Sequence, residues 1–222
     1  MIVEFVGVSG VGKTTVAREF YGTELEKGKR IAWPRYQLYM KTGWLKRNFI
    51  KSASVLRVLS GNPDWAREAM RIFKRLQIAT KDRFILLFNY LSYKDLFEKS
   101  DDPRCEYLFD EGVIQLIWAA YLRTRLPVSE ECVGQIIKLF QAPDRLIVVD
   151  ADTKVIAERL RARGTKTRIL ESRDLCGEIE TMKGKLKAII EFAVTSGAMD
   201  GGHVEAYDNS APKDAFVSGS VL

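Results

Sequence analysis

The strongest constraint in the 222-residue chain is the segment GVSGVGKT, residues 7–14, entered directly from the apolar run MIVEFV. The helical pattern TTVAREFYGTEL follows it. Gly7, Gly12, Lys13 and Thr14 satisfy the spacing G-x-x-x-x-G-K-[ST]. Each residue type has a task in gripping a polyphosphate. Glycines let backbone N–H groups turn toward one centre. The following helix aims its N-terminus, with unpaired N–H groups and a partial positive charge, at the same place. Lys13 is expected to reach the β- and γ-phosphates, the Thr14 hydroxyl to ligate Mg²⁺, and Thr15 to reach the α-phosphate. Gly7, Val8, Ser9, Gly10, Val11, Gly12, Lys13, Thr14 and Thr15 are thus the expected polyphosphate-binding residues.

The remaining pattern alternates strands with helices. After MIVEFVGV come the strands KRIAW, stopped by Pro34, then CEYLFDEG, PDRLIVVD and HVEAYD. Residues 35–63 are mixed, basic and aromatic. A helical period from Asp64, a potential cap, to about Lys99 is long enough for two helices. Further helices are expected at about 113–125, 129–141, 153–163 (capped by Asp152) and 172–195, with a last one in PKDAFVSGSVL. Such alternation predicts right-handed crossovers and an α/β fold, a parallel sheet covered on both faces. Active groups in such folds gather at the carboxyl ends of the strands. That edge receives residues 7–15, 34–35, 110–112, 150–152 and 208–212.

YLFDEG sets Asp110 and Glu111 at the tip of a buried strand. A carboxylate there can hold Mg²⁺ or accept a proton from an attacking hydroxyl. Either residue could instead cap the helix at 113. An adjacent Asp-Glu pair also suits an ATPase, in which the second acid polarises water. ERLRARGTKTR carries Arg159 and Arg163 one helical turn apart, with Arg168 beyond Gly164. Arginines on a closing flap stabilise the charge of a transferring phosphoryl group; a solvated basic helix would look the same in isolation.

GVSGVGKTT, DEG and PDRLIVVDADTKVIAERLRARGTKTR together resemble the thymidylate-kinase-like branch of nucleoside and nucleoside monophosphate kinases. The matching features are Pro143–Asp144, the turn Asp150–Asp152, the Glu158–Arg159 pair and the lid residues Arg163, Gly164 and Arg168. The similarity covers most of 1–26 and 105–175. It implies a single domain over 1–222 with the three-layer P-loop NTPase fold, a five-stranded parallel sheet and helices on both faces. It further implies ATP–Mg²⁺, a helical lid over 159–172, a mostly helical acceptor-side segment over 35–100, and a homodimer. Lys13, Asp110, Arg159, Arg163 and Arg168 become the expected catalytic residues, and Thr14 and Asp110 the metal ligands. The acceptor side departs from the family. Glu111 stands where an arginine is usual, and WPR replaces the loop Arg-Glu-Pro-Gly, leaving Arg35 as a partial substitute. Arg35 and Glu111 are the expected acceptor-binding residues. The reading is an ATP-dependent kinase acting on a nucleotide, nucleoside or other small anionic acceptor, with an ATPase or nucleotide-gated regulatory module as the alternative.

The chain's net charge of +6 favours anionic ligands without choosing among them. Arg35, Lys41, Lys46, Arg47, Lys51, Arg57, Arg67, Arg71, Lys74 and Arg75 concentrate it in the acceptor-side segment, which leaves nucleic acid as a weaker partner class beside a plain solvated face. The Asn-Lys-x-Asp signature of GTPases does not occur. No apolar run approaches the roughly 18–20 residues of a membrane helix. The N-terminus has no signal-peptide pattern, and the three scattered cysteines suggest reduced thiols, so a cytoplasmic protein is expected. His203, the single histidine, reads as structural.

Overall fold

The structure, a computed structural model, describes residues 1–41, 43–99, 102–163, 172, 174–210 and 219–220. It has the three-layer P-loop fold. β1 (Ile2–Val6) is buried at all five positions, as expected of a strand covered on both faces. It lies between β3 (Glu106–Phe109) and β4 (Arg145–Asp150), parallel to both. β2 (Ile31–Ala32) extends the sheet beyond β3, and β5 (Val204–Asp208) extends it beyond β4, also parallel. Parallel register brings the carboxyl ends of all five strands to one edge, where Gly7, Trp33, Asp110, Ala151 and Asn209 follow.

The sequence reading is corrected at the C-terminal helix and at the cap of α4. The expected C-terminal helix overlaps residues outside the described set, and its two described residues, Gly219–Ser220, form β6, antiparallel to β5. The stretch 35–63, compositionally mixed, lies in the segment expected to be mostly helical and forms α2 (Pro34–Lys41) and α3 (Trp44–Gly61). Pro34 does not merely stop β2 but opens α2, where a missing N–H is harmless. Asn62, not Asp64, caps α4 (Pro63–Arg75): its side chain accepts from Trp65 N at 3.1 Å, two residues before the expected position. α5 (Thr80–Glu98) completes a run of four helices between β2 and β3.

The other elements fall as expected: α1 (Lys13–Glu26), α6 (Val113–Tyr121), α7 (Glu130–Leu139), α8 (Thr153–Ala162) and α9 (Leu175–Thr195). Asp152 caps α8 by accepting from Lys154 N at 2.7 Å. α1 is seated on the sheet by Phe20, whose ring meets Phe5 edge-on at 5.4 Å. Ile156 and Leu160 bury one side of α8. Each fully buried side chain of this kind contributes about 2 kcal/mol. His203 sits at the opposite edge of the sheet, its Nδ1 2.6 Å from the Asp144 carbonyl oxygen, a structural place. Cys105, Cys132 and Cys176 are free thiols. Among the described residues no helix is long and apolar enough to cross a membrane.

Candidate active site

The phosphate loop leaves β1 at Gly7. Gly10 and Gly12 hold φ of 89° and 97°, left-handed values that a side chain would strain. A Cβ at Gly12 would also lie 2.4 Å from the Asn209 amide nitrogen. Val8 and Val11 bury their side chains and anchor the loop to the core. Ser9 is half-buried between them, and Thr14 and Thr15 are exposed at the start of α1. Lys13 Nζ donates to the Gly7 carbonyl at 2.7 Å and to that of Val8 at 3.4 Å. Burial pushes its ammonium down to about 8, opposed by the Glu111 and Asp110 carboxylates, which favour the charged form. The lysine is folded onto neutral carbonyls that a phosphate oxygen would readily displace.

Asp110 is a hub. Its carboxylate accepts from Thr14 Oγ1 at 3.2 Å, from Trp33 Nε1 at 3.3 Å and from Arg35 Nη1 at 3.2 Å. Neither Asp110 nor Glu111 caps α6, since Gly112 occupies the cap position without a side-chain bond. The turn's acids are thereby left to the site. Glu111 is the more open of the two, its side chain 44% exposed, and is held by Arg35 Nη2 at 2.8 Å and Tyr93 OH at 3.2 Å. Arg35 thus bridges both acids. Trp33 stacks on Tyr36 at 4.5 Å and fixes the α2 entry that carries Arg35.

Beside Glu111 a cavity of about 310 Å³ opens between α2, α3 and α5. Arg35, Glu111 and Tyr93 stand in its wall, together with the neutral polar side chains Gln37, Asn89 and Ser92. In the same wall Asp95 is closed off by its own partners, Ser54 Oγ at 2.6 Å, Arg57 Nη1 at 2.6 Å and Lys99 Nζ at 2.5 Å. Outside the cavity, Arg67, Arg71 and Arg75 each have an acidic partner in Asp64, Glu68 and Glu131, so much of the basic segment is locally paired.

Of the arginines on α8, Arg159 braces the loop: Nη1 donates to the Val11 carbonyl at 3.0 Å and Nη2 to that of Asn209 at 2.9 Å. Asn209 itself donates to Val11 O at 2.7 Å. Arg163 ends α8 exposed, close enough to Lys13 to disfavour its charge. Arg168 and the lid beyond Gly164 lie outside the described residues. Asn209 falls within the expected edge segment 208–212, whereas the sequence reading missed Trp33, Tyr93, Gln115 and Glu4 as parts of the site. Only Glu4 carried a signal, a carboxylate in the middle of a buried apolar strand.

These residues fit ATP and Mg²⁺. The loop offers backbone N–H groups and an ammonium for phosphates. Thr14 Oγ1 and Asp110 Oδ2, hard oxygen donors 3.2 Å apart, suit a Mg²⁺ shell otherwise made of phosphate and water. A strand–glycine loop–helix unit heading a parallel sheet of order β2-β3-β1-β4-β5 defines a P-loop protein. No protein-family model and no curated protein matches the chain. Among solved structures it is similar to deoxyadenosine kinase from M. mycoides with bound dATP, at 14% identity over 94% of this chain and 91% of that one, TM-score 0.46. The same kinase with bound dCTP gives 14% identity, 94% and 90% coverage and a TM-score of 0.45. With products dCMP and a flexible dCDP the values are 13%, 94%, 90% and 0.47. A likeness this distant decides neither activity nor substrate.

Proposed function

We propose that the protein is an ATP-dependent kinase whose acceptor is a hydroxyl group on a nucleoside-sized molecule. The observation that carries this is Glu111, a carboxylate beside the phosphate loop that also faces the 310 Å³ cavity. ATP would supply the phosphoryl group, with Mg²⁺ held by Thr14 and Asp110 neutralising its oxygens. Lys13 binds the phosphates, and Arg159 keeps the loop in shape around them. By the resemblance, Arg163 and Arg168 would serve from a lid. Arg35 and Tyr93 orient Glu111, which accepts the acceptor's proton as the hydroxyl oxygen bonds to phosphorus and ADP departs.

The charges favour a hydroxyl over a phosphate acceptor. A phosphate arrives already ionised and needs cations rather than a base. Of the three cations in the cavity wall, Arg35 is shared by two carboxylates and Lys99 is bound to Asp95, with Lys51 the third. An ATPase would need no such space beyond the acid, so the cavity weighs against that alternative. The test is ADP production from ATP–Mg²⁺ with a panel of nucleosides, their monophosphates and sugars. Stimulation by nucleosides above the rate with ATP alone is expected. A rate that no compound raises removes the kinase reading.

The proposal extends to a homodimer. α3 turns Leu45, Phe49 and Leu56 outward at 75%, 75% and 67% exposure, a helical stripe of the kind that two copies of a chain cover together.

A further inference from the structure

Glu4 takes no part in the chemistry above, yet it joins the acidic turn directly and the phosphate loop by way of Gln115. It stands in β1, paired in register with Phe109 on one side and Leu146 on the other, and is fully buried. Its carboxylate accepts from Gln115 N at 2.9 Å and from Ile114 N at 3.3 Å, and the N–H groups of Val113 and Gly112 also face it. These are the first N–H groups of α6, which no local side chain caps. Gly112 is a glycine for a related reason: a Cβ there would lie 2.4 Å from the Glu4 carboxyl carbon. From the same turn Gln115 reaches back, its Oε1 accepting from Gly7 N at 3.2 Å. An unbroken buried path therefore runs from the acidic turn 110–112, through Glu4 and Gln115, to the first residue of the phosphate loop.

We infer that Glu4 is a positioning residue: by capping α6 from the neighbouring strand and aiming Gln115 at Gly7, it sets the acidic turn against the phosphate loop. This rests on the kinase reading for its catalytic consequence and on the loop alone for its effect on nucleotide binding. A carboxylate suits the task because one group accepts several backbone N–H bonds from a helix N-terminus, which an amide does less well. Glu4→Gln keeps the volume and replaces one acceptor oxygen by a donor. Gln115→Met removes the acceptor for Gly7 N at similar size.

The experiment measures Mg²⁺–ADP affinity by fluorescence of a labelled ADP, and kcat and KM with the acceptor the panel identifies, for both single variants and the double variant at matched folded fraction. Each single substitution is expected to weaken ADP binding by about threefold to tenfold. Glu4→Gln should in addition lower kcat by roughly tenfold or more, since it also shifts the acidic turn. The double variant should bind ADP no worse than the weaker single variant, because both break one path. Multiplying effects on ADP binding, or unchanged affinity in Gln115→Met, would overturn the inference. So would a Glu4→Gln protein that loses thermal stability but keeps wild-type kinetics. Should Glu4→Gln fail to fold, Gln115→Met decides alone. Should the wild type phosphorylate nothing, the kinase reading fails and the ADP measurements still judge the path.

Discussion

At the scale of single residues, the proposed kinase gives Lys13 the donor phosphates and Glu111 the acceptor. Lys13→Ala is expected to weaken Mg²⁺–ADP binding by two orders of magnitude or more, the scale of losing a charge-assisted contact to a polyphosphate. The wild-type affinity has a direction with pH. The lysine's pKa is lowered to about 8, so below that pH the ammonium that phosphate prefers is present, and above it binding must first take up a proton. Affinity should therefore fall as pH rises past 8, and titrations of Lys13→Met between pH 7 and 9.5 should lose that slope. Glu111→Gln addresses the other half. Losing a general base costs about 10²–10⁴-fold in rate, so kcat should drop on that scale while ADP affinity stays within a few-fold. A Glu111→Gln enzyme with wild-type kcat would transfer the role to Asp110.

At the scale of elements, Glu4 shows what holding α6 from a strand does to stability. Burial raises its carboxyl from the ordinary 4.5 to about 7, with the α6 N–H groups pulling the other way. A raised acid favours the fold most below its unfolded pKa, and that contribution is lost as pH climbs through the folded value. Between pH 4.5 and 7 this group should remove about 3 kcal/mol of stability. Urea midpoints at pH 5 and 8 should differ by correspondingly more in the wild type than in Glu4→Gln. Asn62→Ala, which removes the α4 cap, should lower stability by about 1 kcal/mol at either pH. Elements such as β1, β3, β4, α8 and α9 were legible in the sequence because apolar period, caps and turns agree there. The acid turn and the loop were legible for the same reason, being local strings. α2 and α3 were legible only through the resemblance: α3 exposes Leu45, Phe49 and Leu56 on the face opposite its buried Ser54 and Val58, so apolar residues occur all round and no period stands out. Tyr93 and Gln115 enter the site only through long-range contacts, which no local pattern announces.

At the scale of the whole molecule, α2, α3 and α5 from the insertion between β2 and β3 wall the cavity beside Glu111, while the phosphate loop and the acidic turn come from the strand ends of the sheet. The outward stripe on α3 gives a prediction of its own. The protein should sediment as a dimer at micromolar concentration, and Phe49→Glu should shift it to monomer with little change in the melting temperature. A wild type that stays monomeric throughout would leave the stripe uncovered and remove the dimer.

The place of β1 also governs how the chain comes to life. Val3 pairs with Leu108 on one side and Arg145 on the other, so β1 stands between two strands that follow it by about a hundred residues or more and are synthesised after it. Its neighbours leave the ribosome on the order of ten seconds later, at ~5–20 residues per second. Until then the nucleotide grip has nothing to stand on, and a nascent chain arrested before β4 should not be retained on an immobilised ATP resin.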